Sequence, residues 1–414
     1  MLYRRNLEGK LKQALSDTRI VMIAGPRQAG KTTLARQLTQ SNRPYVTLDD
    51  DGTYQAAIND PVSFIRQFDH VTIDEIQRAP ELIRRIKTSV DEDRRPGRFL
   101  LTGSANILTI PTVSESLAGR MAIETLLPLS QAEIEGTTNN ALDDLFNSTE
   151  TTRSFGPYNV DDIEQRVLIG GYPEMLARTS AKRRRAWADT YIETMLTRDI
   201  KEILDAHHLK DMDKLLQACA IQSAQLIVYA HIANDLRLTT PTIQRYIRTM
   251  EQMYLLTFLP AWHRNDLKRL IKTPKLHFLD SGLLASLRRM SASSIRGDRS
   301  DFGAILESFV FSELRKHADC SDDHYQFYHY RDKDKVEVDF VIERDVNELI
   351  GIEVKASATV RSDDFKGLNR FQGISGKAFK AGYLVYTGDK VLSFGQGMRA
   401  IPASLLWQNT SLQR

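Results

Sequence analysis

"IVMIAGPRQAGKTTLARQL", residues 20–38, joins an apolar run to a glycine-rich loop and then to a segment with helical spacing. Its centre, Gly25 to Thr32, fits G-x-x-x-x-G-K-[ST], the pattern of a loop that wraps phosphate. Glycines let backbone N–H groups close around the anion, and the helix that follows adds the positive end of its dipole. Lys31 reaches the outer phosphates, and the Thr32 hydroxyl ligates magnesium. Gly25, Pro26, Arg27, Gln28, Ala29, Gly30, Lys31, Thr32 and Thr33 are therefore expected to bind ATP with Mg2+. A glycine-rich turn with a chance lysine is the bland alternative, and the flanking strand and helix weigh against it.

Working outward, "PYVTLDD", "HVTIDE" and "RFLLTGS" are further short apolar runs separated by helix-like stretches. That alternation predicts an α/β fold with a parallel sheet covered on both faces. Asp74 closes one run some forty residues after the loop, where it could hold the magnesium, and Glu75 beside it could polarise an attacking water. In "FLLTGSA", Thr102 or Ser104 could sense the terminal phosphate, or the hydroxyls there could cap a helix. Arg120 in "SLAGR" has two readings: an arginine presented to a neighbour's phosphate, or a surface ion pair.

The chain has 414 residues, enough for two to four domains at roughly 100–200 residues each. A net charge of +3 requires any nucleic-acid surface to be a local patch. Two cysteines, Cys219 and Cys320, supply neither a disulfide framework nor a cysteine zinc site. No apolar run reaches the ~18 residues of a membrane span, so a cytoplasmic location without a membrane partner is expected. Residues 136–162 turn polar and aperiodic, which reads as a surface insertion or linker.

Two later stretches carry further chemistry. In "YAHIANDLRLTTPTIQRYIRTMEQMYLL", Ile232, Ala233 and Leu236 have core spacing on a first helix, and Thr240 as cap with Pro241 opens a second. Such a pair can lay its second helix in a major groove, making Gln244, Arg245 and Arg248 candidates for DNA contact. It can equally serve packing alone, with Tyr246, Ile247 and Met250 as core. In "EVDFVIERDVNELIGIEVKAS", residues 337–357, a turn centred on Val346 would set Asp339 across from Glu353, with Lys355 on the same face as Glu353. Two carboxylates at that separation destabilise a bare hairpin, and a divalent cation would reverse the sign. The lysine and carboxylates could also form a plain ion pair.

"GPRQAGKTTL", "TLDD", "IDEIQRAPEL", "LLTGSAN" and "LAGR", followed by "GGYPEML", "YIETMLTRDI", "KLHFLDSGLLASL", "ESFVFSEL", "EVDFVI" and "IEVKAS", resemble the bacterial and archaeal predicted ATPases of the AAA+ superfamily that carry a C-terminal domain of unknown function. The resemblance implies an AAA+ ATPase core (residues 1–135), a polar insertion and helical lid or linker (136–210), a winged-helix-like domain (211–295) and a restriction-endonuclease-like α/β domain (296–414). It also implies a metal set of Asp339 and Glu353 assisted by Glu307, with Lys355 orienting water or stabilising charge. The expectation is a magnesium-dependent ATPase acting on DNA by remodelling, branched-DNA processing or ATP-coupled cleavage. A homo-oligomer such as a hexameric ring is its expected assembly. Two alternatives stand beside it: a signalling switch that binds DNA or protein without cutting, and a chaperone-like ATPase acting on a protein partner.

Overall fold

The computed structural model describes residues 2–39, 43–103, 117, 119–147, 160–199, 209–265, 267, 269, 272–345 and 347–408. The chain forms two compact units, Met1–Pro128 with Gln252–Tyr254, and Leu129–Glu251 with Leu255–Arg414.

The first unit is built on five strands: β1 (Ile20–Ala24), β2 (Tyr45–Thr47), β3 (Val71–Asp74), β4 (Phe99–Gly103) and β5 (Met121–Thr125). All pairings are parallel, in the order β2-β3-β4-β1-β5. Strands β1, β3 and β4 are buried at every position, as continuous apolar runs require once helices cover both faces. The helix Leu82–Glu92 shows the complementary pattern: Leu82, Ile83, Ile86 and Val90 recur at three- and four-residue spacing and all face inward. These side chains join Ile20, Met22, Ile73, Phe99 and Leu101 in one core. The sequence pattern did not mark β5. It is an edge strand, only half-buried, so it lacks the apolar continuity that identifies its neighbours.

The second unit contains a small antiparallel sheet of β6 (Gln225–Leu226), β7 (Leu256–Leu259) and β8 (Lys275–Phe278), in the order β6-β8-β7. The helices Leu209–Ile221, Tyr229–Leu236 and Thr240–Gln252 alternate with it along the chain. A six-stranded sheet follows: β9 (Tyr325–Arg331), β10 (Glu337–Arg344), β11 (Glu348–Lys355), β12 (Phe379–Tyr386), β13 (Leu392–Ser393) and β14 (Met398–Pro402), in the order β13-β14-β12-β11-β10-β9. The helix Lys366–Ser375 makes the crossover between the parallel strands β11 and β12, and Leu368 and Phe371 bury its apolar side. The long helix Phe302–Cys320 precedes this sheet.

Residues 136–147 are not the bare linker that their composition suggests. The helix Ala141–Asn147 buries Ala141, Leu142, Leu145 and Phe146. Asn140 Nδ2 donates to the His317 carbonyl at 2.9 Å, and Tyr383 Oη donates to the Leu145 carbonyl at 2.6 Å. The polar residues read as solvated instead satisfy backbone groups of the second unit. The "GGYPEML" and "DSGLL" stretches also meet there. Buried Asp280 accepts from the Gly171 amide at 2.8 Å and caps its own helix at the Leu283 amide, 2.9 Å away. Any side chain at Gly171 would drive a Cβ to 2.1 Å from the Leu129 carbonyl oxygen.

Among the described residues, no helix is long and apolar enough to cross a membrane.

Candidate functional site

The phosphate loop runs from the end of β1 into the helix Lys31–Gln37. Two of its residues need glycine. Gly25 has φ 149° and a Cβ there would lie 2.2 Å from the Leu126 carbonyl oxygen, while Gly30 has φ 100° at the helix start. Arg5 braces the loop: its guanidinium donates to the Ala29 carbonyl at 2.7 Å and to the Leu127 carbonyl at 2.6 Å. Pro26 and Ala29 are buried, and Arg27, Gln28 and Thr33 are partly or fully exposed.

Lys31 is buried and folds back on its own loop, donating to the carbonyls of Gly25 at 3.0 Å and Pro26 at 2.8 Å. Its neighbour Thr32 donates to Asp74, with Oγ1 3.0 Å from Oδ2 and 3.2 Å from Oδ1. The hydroxyl and carboxylate assigned to magnesium from the sequence therefore stand together, one from the helix that follows the loop and one from the end of β3. Asp74 is gripped from two further sides. Tyr45 Oη on β2 donates to Oδ2 at 2.6 Å, and Thr102 Oγ1 on β4 donates to Oδ1. Burial and the hydrogen bond to Asp74 push the Tyr45 phenol up to about 12, so it stays a donor at neutral pH. Glu75 sits in the left-handed region at φ 58°, with its amide donating to Thr102 Oγ1 at 3.2 Å. A non-glycine residue held there costs on the order of 1–3 kcal/mol, and such strain clusters at functional sites. Ser104 lies outside the described residues.

Arg120 stands apart from this group. It precedes β5, and its carbonyl accepts from the Ile20 amide at the start of β1, whereas the phosphate loop leaves the other end of that strand. At about 3.3 Å per residue, the length of β1 separates Arg120 from its own loop by more than 10 Å. Its guanidinium grips Asp91 with Nε 2.6 Å from Oδ1 and Nη2 3.1 Å from Oδ2.

In the second unit, the helix Thr240–Gln252 buries Ile243, Tyr246, Ile247 and Met250 and leaves Arg245 and Arg248 exposed, with Gln244 between. The cap falls one residue earlier than the sequence suggested, because Thr239 Oγ1, not Thr240, accepts from the Thr242 amide at 3.3 Å.

The hairpin of β10 and β11 runs from Arg344↔Glu348 to Phe340↔Ile352; continued one rung further, this register would set Asp339 opposite Glu353. A register shift in the β9–β10 ladder between Val338 and Val341 brackets Asp339, the kind of irregularity that re-aims a side chain. Asp339 Oδ2 accepts from the Val354 amide at 2.9 Å, and Lys355 Nζ lies 3.4 Å from Glu353 Oε1. Glu307, from the helix Phe302–Cys320, joins them through a residue that the sequence reading missed. Lys275 Nζ, on β8, is 3.1 Å from Glu307 Oε1 and 3.1 Å from Asp339 Oδ1. The signal for Lys275 was faint: one charged residue in "KLHF", a strand buried at all four positions.

Electrostatics divides the protons among these groups. Burial alone would lower Lys275, but Glu307, Asp339 and Glu337 outweigh it and hold the ammonium charged. Burial, then the charge of Asp339, pushes Glu307 up to about 8 and raises Glu353 well above the usual carboxyl range. His277, wholly buried with Nε2 3.8 Å from Glu307 Oε1, is driven by burial and by Lys275 well below the ordinary imidazole value. Among the described residues, no group of three or more His, Cys, Asp or Glu side chains is arranged to hold a metal ion.

Residues 17–135 match a family described as an AAA domain, and residues 160–294 and 302–406 match two families described as domains of unknown function, DUF8612 and DUF4143. Uncharacterized proteins of Mycobacterium tuberculosis and Mycobacterium bovis are each 29% identical to this chain over 361 residues, covering 87% of it and 75% of their own length. Among solved structures, a RuvB variant of Thermotoga maritima is similar over 62% of this chain and 89% of that one, at 20% identity and a TM-score of 0.29. A half-complex of Thermococcus gammatolerans McrB AAA+ hexamers with bound McrC is similar over 80% and 94%, at 10% identity and a TM-score of 0.21. The AAA-domain match, together with the parallel sheet and the phosphate loop, supports an ATPase.

Proposed function

We propose that the chain is a magnesium-dependent ATPase that acts on nucleic acid through its second unit, remodelling the bound strand without cutting it. The observation that carries the ATPase reading is the convergence on Asp74: Thr32 from the loop, Tyr45 from β2 and Thr102 from β4 all donate to one carboxylate. Three donors fix its direction and leave the Thr32–Asp74 pair as the place for magnesium. Magnesium bound there would neutralise developing phosphate charge.

The protein's own groups do the rest. Lys31 exchanges its two carbonyl partners for phosphate oxygens, and the loop amides between Gly25 and Lys31 close around the anion. Glu75, pinned by its strained backbone beside Thr102, orients the attacking water and takes its proton. Arg120 stands just before the edge strand β5, at the end of β1 opposite its own loop, which supports action on a neighbouring subunit in a ring or other homo-oligomer.

The nucleic-acid part of the reading rests on the exposed Arg245 and Arg248 beside Gln244, on a helix whose opposite side is core. The second unit's helix–strand–helix–helix–strand–strand order supports a winged-helix-like module, followed by a restriction-endonuclease-like sheet. Cleavage by Asp339, Glu353, Lys355 and Glu307 would require Lys275 to withdraw from between the carboxyls, and is not part of the proposal.

ATP turnover with magnesium, measured with and without duplex, single-stranded and branched DNA, tests the reading. Glu75→Gln should keep nucleotide binding and lose about 10²–10⁴ in turnover. Wild-type turnover in that variant, or rates and DNA binding indifferent to salt and DNA, would remove the assignment.

A further inference from the structure

Among the described residues the second unit holds a largely buried cluster of three carboxyls and two lysines, with Lys355 at its exposed margin, none of which the ATPase uses. Lys275 is its centre. It belongs to the middle strand of the small sheet, paired with Leu226 on β6 and Leu259 on β7, so its backbone is held from both sides. Only 3% of the residue is exposed. The ammonium reaches out of that sheet to carboxyls on two other elements, the helix Phe302–Cys320 and strand β10. Asp339 Oδ2 accepts from the Val354 amide and Lys355 lies 3.4 Å from Glu353 Oε1, while Glu353 Oε2 is buried without a hydrogen-bond partner among the described residues.

We infer that Lys275 is the resident cation of this cluster. Its ammonium fills the bridging position between Glu307 and Asp339, and the site as folded is a metal-free ionic junction between the small sheet and the six-stranded sheet. A magnesium or manganese ion needs carboxylate oxygens at roughly 2.0–2.2 Å and several free lone pairs. With Lys275 in place, an ion sharing the same two oxygens would lie roughly 3–4 Å from a fixed positive charge in a poorly screened interior, a repulsion that cancels much of its attraction to the carboxyls. The residues present therefore do not fit a divalent metal while Lys275 is there. Removing the lysine's charge converts the cluster into one that does.

This inference stands independently of the ATPase reading, and its test measures binding, not turnover. Manganese is titrated into the nucleotide-free full-length chain, with free ion followed by electron paramagnetic resonance, for wild type, Glu353→Gln, Lys275→Met and the double variant. Wild type and Glu353→Gln should bind manganese equally. Lys275→Met should gain one ion per chain, at least about tenfold tighter than any wild-type binding, and the double variant should lose it. Manganese should also raise the melting temperature of Lys275→Met and leave that of wild type unchanged. A wild-type manganese site that Glu353→Gln abolishes would overturn the inference, as would a folded Lys275→Met that gains no ion. If Lys275→Met does not fold, the comparison of wild type with Glu353→Gln decides alone: equal binding upholds the junction and loss of binding refutes it.

Discussion

Lys31 and Lys275 are both buried lysines, each with its ammonium on two oxygens about 3 Å away. The oxygens differ. Lys31 leans on the neutral carbonyls of Gly25 and Pro26, and Lys275 on the carboxyls of Glu307 and Asp339. The ammonium makes both sets charge-assisted, but the carbonyls left behind by Lys31 are neutral, whereas Lys275 shares its charge with buried acids. Lys31 can leave its partners for a phosphate at little cost, whereas Lys275 would strand buried acids. The first arrangement is poised for a ligand and the second is closed on itself. Arg120 extends the contrast, since its distance from its own loop supports the proposal that a neighbouring chain completes the ATP site.

The largest expected effect tests that openness. If Arg120 serves a neighbour, Arg120→Ala should lower ATP turnover by about 10³–10⁵. Mixing Arg120→Ala with Glu75→Gln chains should restore part of it, because one kind of mixed interface is intact. No rescue, with a single chain by light scattering in ATP, would make Arg120 a surface partner of Asp91 and nothing more.

Next comes the poised lysine. Lys31→Ala should weaken nucleotide binding and reduce turnover by about 10²–10³ or more, while thermal stability stays close to wild type because the Gly25 and Pro26 carbonyls it releases are neutral. A large loss of stability would break the comparison from the Lys31 side.

The closed lysine should behave the other way round. Lys275→Met should cost about 3–5 kcal/mol in denaturant unfolding without metal, the usual penalty for unpairing a buried charge. Lys355→Met, whose side chain is 37% exposed, should cost no more than about 1 kcal/mol. Equal effects would mean that Lys275 is less committed to its carboxyls than its geometry implies.

The last expected effect, spread over several pH units, is a pH dependence. Glu307 titrates near 8 in the folded chain against an ordinary 4.5, so the native state holds a proton that the unfolded chain gives up. Its contribution to stability is fully present below about 4.5 and is lost as pH rises through about 8, with a slope of at most about 1.4 kcal/mol per unit. Glu307→Gln should flatten that part of the stability profile measured between these limits. An unchanged profile would show that Glu307 titrates normally.

The sequence by itself determined whatever chemistry is contiguous or periodic. The loop from Gly25 to Thr32 was legible because a phosphate cradle is made by consecutive backbone amides, whose spacing is written in the chain. Asp74 was legible because it closes an apolar strand, and the β10–β11 register, paired from Arg344↔Glu348 to Phe340↔Ile352, because a short antiparallel hairpin leaves few ways to pair. Tertiary structure alone decided the partners that come from elsewhere. Tyr45 reaches Asp74 from a neighbouring strand, Asp91 takes Arg120 from a separate helix, and Lys275 enters the carboxyl cluster from another sheet. The structure also turned the polar stretch before residue 147 into a buried helix, because its amides and hydroxyls found backbone partners that composition cannot reveal. The physical reason is common to all of these. A charge or donor acts over a few ångströms in space, and separations of tens of residues along the chain carry no signal until the fold has closed them.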